Sequence, residues 1–285
     1  EFFDITLEQA LDIQMAIPNP PPQTDKYRNK PAFVSARYVK ELSSGKGEIT
    51  GIVNVRAEAN ASSHIYGQLA KGNWYRISYD TWRNATRSDT KAYLDPNKNS
   101  LFQHLDLSTP AGATVKELNE YLKGRGILEG QGRAFYDAAR MHNINELYLI
   151  SHAIHETGNG TSKLAKGITV NGKTVYNMFG IGAHDSCPEK CGSQKAYEEG
   201  WDTPYKAIVG GAKFIGERYV HNEYKQNTLY KMRWNPLAME QTGQFGRQYA
   251  TDIGWAVKQT ERLMEMYNLV VSNPVLKYNI IQYII

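Results

Sequence analysis

At 285 residues, 41% of them hydrophobic and 22% charged, the chain is long enough to bury one large core or two modest ones and has the makeup of an ordinary globular protein. Thirty-three basic residues against 29 acidic ones leave a net charge of +4, too small and too scattered a bias to point to nucleic acid, though it suits an anionic polymer surface. No apolar run approaches the roughly 20 residues of a membrane helix, and the opening EFFDITLEQALDIQM lacks the basic and apolar regions of a signal peptide.

Residues 4 to 16 are expected to form a helix, with Thr6 and Gln9 as a capping box and Leu7, Ala10, Leu11 and Met15 on one face, before PNPPPQ stops it. From about Phe33 to Tyr93 the pattern changes to short strands, EITGIVNVRAEA, HIYGQLA and NWYRISYDTW, separated by Gly, Asn and Ser turns. The NVR, the IYGQLAKG hairpin and the WYRI of this stretch resemble a bacterial SH3-like repeat, which would give a wall-binding element in a supporting role. Helical signals return after Pro110. Thr114 and Glu117 open VKELNEYLKG, Gly124 closes it, and residues 131 to 142 form the next helix.

The following helix carries the chemistry. Leu147, Ile150 and Ile154 fall at i, i+3 and i+7, Asn145 caps the start, and Gly158 and Gly160 cannot sustain it, so it should end near Thr157 with Glu156 in its last turn. A carboxylate at the negative end of a helix costs up to about 1 kcal/mol. Dipole and partial burial both favour the protonated carboxyl, so a raised pKa, suited to a general acid, is expected, and the glycines after it leave room for a ligand. The ordinary reading is a Glu that merely caps or salt-bridges. His152, His155 and Glu156 also read HxxHE, but the spacing matches neither HExxH nor HxxEH, so a metallohydrolase is the weaker reading.

Beyond it, NG between alternating apolar runs in GITVNGKTVYNMFGIGA predicts a β-hairpin. Asp185, just past that hairpin, is the candidate for a second catalytic carboxylate; its ordinary reading is a turn former before Ser186 and Pro188. Cys187 and Cys191 can form a disulfide, join His184 at a metal or stay free; no metal or other cofactor is assigned. Thr203 and Pro204 start a helix through about Tyr219 with Ala207, Ile208, Ala212 and Ile215 inward, and a last helix from about Asp252 to Tyr267 buries Ile253, Ala256, Val257, Leu263 and Met264.

Six ordered blocks tie these features together: KGRGILEGQGRAF (123 to 135), ISHAIHETGNGTSKLAKG (150 to 167), VNGKTVYNMFGIGAHDS (170 to 186), GWDTPYKAIVGGAKFIGERYV (200 to 220), TLYKMRWNP (228 to 236) and QYATDIGWA (248 to 256). Across them the chain resembles the endo-β-N-acetylglucosaminidases of glycoside hydrolase family 73, most of all the catalytic domains of clostridial and bacillar autolysins. The resemblance implies an α+β fold, mainly α. Residues 101–285 would form a lysozyme-like helical lobe with a β-hairpin lobe and a peptidoglycan groove, preceded by an N-terminal helix and small β-rich region over residues 1–100. It also implies that Glu156 is the general acid, Asp185 a second catalytic or stabilising group, and Tyr249 a positioner of water or substrate. Asn177 and Phe179 of the hairpin would contact sugar. His184 stands where relatives often carry Tyr. Of the 19 Tyr and five Trp most should fill the core, but amphipathic rings also pack on sugar faces, and Tyr197, Trp201, Tyr230 and Trp234 are assigned with His184 to the groove. The expected protein is a secreted, wall-associated monomer acting on glycan strands, with a muramidase or lytic transglycosylase on the same fold as the nearest rival.

Overall fold

The computed structural model describes residues 1–28, 30–43, 46–72, 82–184 and 186–285; the WYRI stretch at 74–77 and Asp185 lie outside the described residues. Strand β1 (Phe2–Thr6) leads into helix α1 (Leu7–Met15). The expected capping box is present: Gln9 N donates to Thr6 Oγ1 at 3.1 Å, and Thr6 N donates to Gln9 Oε1 at 2.7 Å. The helix starts later than its periodicity suggests, because Phe2–Thr6 pairs in parallel with the strand at the other end of the chain.

The next segment holds β2 (Gln23–Thr24), β3 (Val39–Ser43), β4 (Lys46–Ile49), β5 (Val53–Arg56), β6 (Ile65–Leu69) and β7 (Arg83–Asn84). They pair antiparallel as β2 with β7, β3 with β4, and β5 with β6. Helix α2 (Arg87–Leu94) falls where strands were expected; its start is fixed by a second reciprocal capping box, Thr86 with Asp89.

The remainder is mostly helical: α3 (Val115–Leu122), α4 (Gly132–His142), α5 (Glu146–Glu156) and α6 (Lys163–Lys166), then β8 (Ile168–Val170) and β9 (Lys173–Val175). After them come α7 (Pro188–Glu198), α8 (Pro204–Ile215), α9 (Leu229–Trp234), α10 (Pro236–Thr242), α11 (Trp255–Leu269) and β10 (Gln282–Ile284), the partner of β1. The β8–β9 hairpin is the one that NG specifies. Val170 pairs with Lys173, and Asn171 and Gly172 take φ of +48° and +77°, both left-handed as a type I′ turn requires. Helix α8 stops at Ile215, short of Tyr219, and passes into a π-helical turn over Gly216–Val220. In α11 the buried stripe is Ala256, Thr260, Leu263, Met266 and Tyr267, so Met264, expected inside, is 40% exposed.

Two cores hold these elements. The larger packs α3, α4, α5, α8 and α11 around Leu118, Phe135, Ile150, Ile208 and Leu263. Helix α5 lies within it, buried from Leu147 to Ser151 and at Ala153 and Ile154, so it is enclosed all round rather than along one stripe. The second core joins the first 100 residues to the last: Phe3, Leu11 and Leu94 pack with Tyr230, Trp234, Met239, Ile253 and Ile281.

Candidate active site

Glu156 closes α5, and both ends of that helix are held. At its start Asn145 Oδ1 accepts from Tyr148 N at 3.0 Å, and the buried Glu146 carboxylate accepts from Ala111 N and Ala113 N, both at 2.8 Å. At its end the loop folds back. Thr157 N and Oγ1 donate to Ala153 O at 3.0 and 2.6 Å, Asn159 N to Ile154 O at 2.9 Å, and Gly158 N to His155 O at 3.3 Å. These donors meet the carbonyls that would otherwise present the negative end of the dipole to Glu156.

Of the two glycines taken as room for a ligand, Gly160 serves packing: a Cβ there would come within 2.2 Å of Arg125 O. The glycine that faces the carboxylate is Gly180. Its φ is +63°, and a Cβ on it would sit 3.2 Å from Glu156 Oε2. Asn177 builds the turn that brings it there, accepting from Phe179 N and Ile181 N at 3.3 and 3.2 Å and donating to Ile181 O and Gly192 O at 2.8 and 3.1 Å.

One helical turn before Glu156, His152 brings Nε2 to 3.6 Å from Glu156 Oε1 and 2.9 Å from the Tyr249 hydroxyl. Tyr249 stacks on Trp255 at 4.4 Å between centroids and lies 5.2 Å from the Tyr219 ring. Burial, and then the nearby Glu156 and Tyr219, push its phenol well up, so it stays protonated. Glu156 behaves otherwise than expected. Burial raises its pKa, but the imidazole of His152 and the charges of His152 and His155 outweigh this and leave it below the ordinary carboxyl value. The dipole and burial argument left out an imidazole four residues back.

Glu156, His152, His155, Tyr148, Tyr249, Trp255 and Gln259 line one small cavity of about 50 Å³. It shares His155, Trp255 and Gln259 with a neighbouring groove of about 570 Å³.

The segment carrying Tyr249 has no regular structure of its own and hangs on buried polar side chains. Arg233, fully buried, donates from Nε to Asp252 O at 2.7 Å, from Nη1 to Gln248 Oε1 at 2.9 Å and from Nη2 to Thr251 O at 3.0 Å. Burial lowers its guanidinium to about 9, with Asp252 acting in the opposite direction. Gln226 Nε2 and Asn235 Nδ2 both donate to Arg247 O, and Tyr249 N donates to Met232 O at 2.9 Å.

Of the residues assigned from sequence, Glu156 and Tyr249 come together. His184 is exposed at the loop before α7, Tyr197 packs half-buried against the main core, and Asp185 is outside the described residues. Five others offer no surface to a sugar. Asn177, at 2% exposure, spends its amide on the turn. Phe179 and Trp201 fill the hollows above Gly211 and Gly210 of α8, where a Cβ would meet them at 2.3 and 2.2 Å. Tyr230 donates its hydroxyl to Leu94 O and, like Trp234, lies at zero exposure in the second core. Cys187 and Cys191 form a disulfide, with Cα atoms 5.4 Å apart, at the start of α7. Sequence reasoning missed Gly180, Trp255 and Gln259, and weighed His152 only as a metal ligand or packing group.

Gly180→Ala is expected to lower kcat about tenfold with little change in KM, since a methyl at a left-handed position both strains the turn and crowds Glu156. Steady-state kinetics and a melting curve check it; wild-type kcat at an unchanged Tm would remove Gly180 from the site.

A family profile described as mannosyl-glycoprotein endo-beta-N-acetylglucosaminidase matches residues 132–269. The chain is 46% identical over 286 residues to a beta-N-acetylglucosaminidase of Bacillus subtilis (strain 168), a match covering 94% of this chain and 30% of that protein. The chain thus spans less than a third of that relative's length. Among solved structures, a major bifunctional autolysin superposes with a TM-score of 0.64 at 35% identity, covering 99% of this chain and 97% of that one. Autolysin E of Staphylococcus aureus, solved as a catalytic glutamate-to-alanine mutant in complex with the disaccharide NAG-NAM, superposes at 0.61 with 27% identity, covering 98% and 99%. The mostly helical fold with small sheets matches the fold of these autolysins.

Proposed function

This chain belongs to the glucosaminidase family, and from that premise we propose that it hydrolyses the β-1,4 bond on the reducing side of N-acetylglucosamine in peptidoglycan. The observation that carries the reading is Glu156, held at the end of a buried helix and open to a cavity it shares with His152 and Tyr249. Protonated Glu156 gives its proton to the leaving glycosidic oxygen as the bond breaks, and water adds to the anomeric carbon. A glycan seated over Glu156 displaces the water around its half-buried carboxylate, which favours the protonated form and counters the pull of His152. Tyr249, kept neutral and hydrogen-bonded to His152, can donate to substrate or hold the attacking water. Asp185 is assigned as the second group, stabilising positive charge at the anomeric centre or activating that water.

The finer architecture belongs to the same proposal. Residues 101–285 form a lysozyme-like catalytic unit, residues 1–100 support it with an SH3-like element, and the protein works as a secreted, wall-associated monomer on glycan strands. Among the described residues no helix is long and apolar enough to cross a membrane.

Mass spectrometry of borohydride-reduced digests decides bond choice. Reduced N-acetylglucosamine ends are expected; reduced muramic ends would make the protein a muramidase, and anhydro-muramic ends a lytic transglycosylase.

A further inference from the structure

The groove next to the Glu156 cavity is built by both halves of the chain. Gln23, Asp25, Arg28 and Trp82 come from the N-terminal part, and they face Trp255, Lys258 and Gln259 of α11 and the 250–252 segment. At about 570 Å³ it is far roomier than the cavity beside Glu156.

Its chemistry divides sharply. Lys258 is committed: its ammonium lies 2.6 Å from Asp25 and 2.7 Å from Asp252, and those two carboxylates more than balance its charge. The same ammonium stands 5.1 Å from the centre of the Trp82 ring, which ties the indole to the groove wall. Trp82 nevertheless keeps 47% of its surface exposed, so its ring presents apolar area to the groove it lines. Arg28 is exposed, lines the same groove and has no ion-pair partner among the described residues. A flat exposed indole, an uncommitted guanidinium and the amide of Gln259 suit an amphipathic saccharide that carries a carboxylate; the Gln23 amide nitrogen is already spent on Pro21 O and Asn84 Oδ1.

We propose that this groove is a distal subsite for a peptidoglycan strand that retains its stem peptides, with a sugar ring stacked on Trp82 and a stem carboxylate paired to Arg28. This deepens the proposed function and rests on it for the identity of the ligand. The continuity is physical: Glu156 adjoins His152, His152 bonds Tyr249, Tyr249 stacks on Trp255, and Trp255 lies one helical turn before Lys258, the residue that ties down Trp82. A strand lying along this line is gripped at a distance from the bond being cut.

The test measures binding in the full chain carrying Glu156→Gln, so that strands are held without being consumed. Long soluble strands with stems, the same strands stripped by an amidase, and the bare disaccharide are compared. Trp82→Ala is expected to weaken binding of both kinds of strand about tenfold while the disaccharide changes less than about twofold, and Trp82→Phe to recover most of the loss. Arg28→Gln is expected to weaken only strands that keep their stems. Equal strand affinities in parent and Trp82→Ala would overturn the subsite, as would an equal loss on the disaccharide. An Arg28→Gln loss that persists on stripped strands, where the amidase has freed the lactyl carboxylates of muramic acid, would overturn the stem carboxylate as the partner of Arg28. A parent that binds strands while the wild-type chain releases no reduced N-acetylglucosamine ends would strike the hydrolysis and leave the subsite standing.

Discussion

Glu156→Gln is expected to remove wall-clearing activity by about 10²- to 10⁴-fold, the range a positioned proton donor contributes, while leaving the fold intact. The amide has nearly the shape of the carboxylate but no proton of useful acidity to give. Glu156 is not part of either core: its side chain is 33% exposed and its polar neighbour is His152 at 3.6 Å. Thermal unfolding should therefore change little, and turbidity loss of purified wall material should be indistinguishable from a buffer control. More than a few per cent residual activity, with a wild-type melting curve, would refute the assignment of Glu156 as the acid.

Arg233→Ala is expected to cost stability and activity together. Removing the guanidinium leaves Gln248 Oε1 without a donor, takes one of two donors from Asp252 O and Thr251 O, which keep Trp255 N at 3.1 Å and Gln23 N at 2.9 Å, and opens a void beneath Trp234, whose ring lies 4.0 Å from the guanidinium carbon. The orphaned amide oxygen costs about 1–3 kcal/mol and the void adds to it, while the relief of no longer burying a charge offsets part, for a net loss of roughly 2–4 kcal/mol. For a chain this long that is a fall in Tm of about 10 °C. The same three bonds hold the segment that positions Tyr249, so kcat should drop even below the melting range. Arg233→Lys keeps the charge but not the planar fork, and should fall between the two. An unchanged Tm would show that Gln226 and Asn235 carry the segment alone.

What could be read in advance follows from how far each signal reaches along the chain. The Thr6, Thr86 and Thr114 boxes each lie within four residues, and the Asn171–Gly172 turn needs only two; the boxes at Thr6 and Thr114 and the turn were legible in the sequence, and the one at Thr86 was passed over in a stretch dominated by strand pattern. Glu156 was legible because a helix stop and a carboxylate coincide in a few residues. By contrast, β1 pairs with the other end of the chain, and α5 looks one-faced until α4, α11 and the rest of the main core close around it. The aromatic assignments failed for a related reason. A Trp or Tyr suits a sugar face and a protein core equally well, and only Gly210 and Gly211 of a separate helix reveal that Trp201 and Phe179 are seated inward. Trp82 went unassigned because its neighbours in space are Lys258 and Asp25, not its neighbours in sequence. The pKa of Glu156 was misjudged locally, since His152 was in view but was read as a candidate metal ligand.

The carboxylate at the opposite end of α5 sets the tolerance of the whole device. Glu146 is clamped by two backbone donors, and ten residue steps of helix, about 15 Å, separate that pivot from Glu156. Over such an arm, a tilt of about 4° at the pivot swings the far tip by about 1 Å, enough to cost on the order of 10² in rate. The aim of the proton donor is therefore decided as much at Ala111 and Ala113 as in the cavity where the bond is cut.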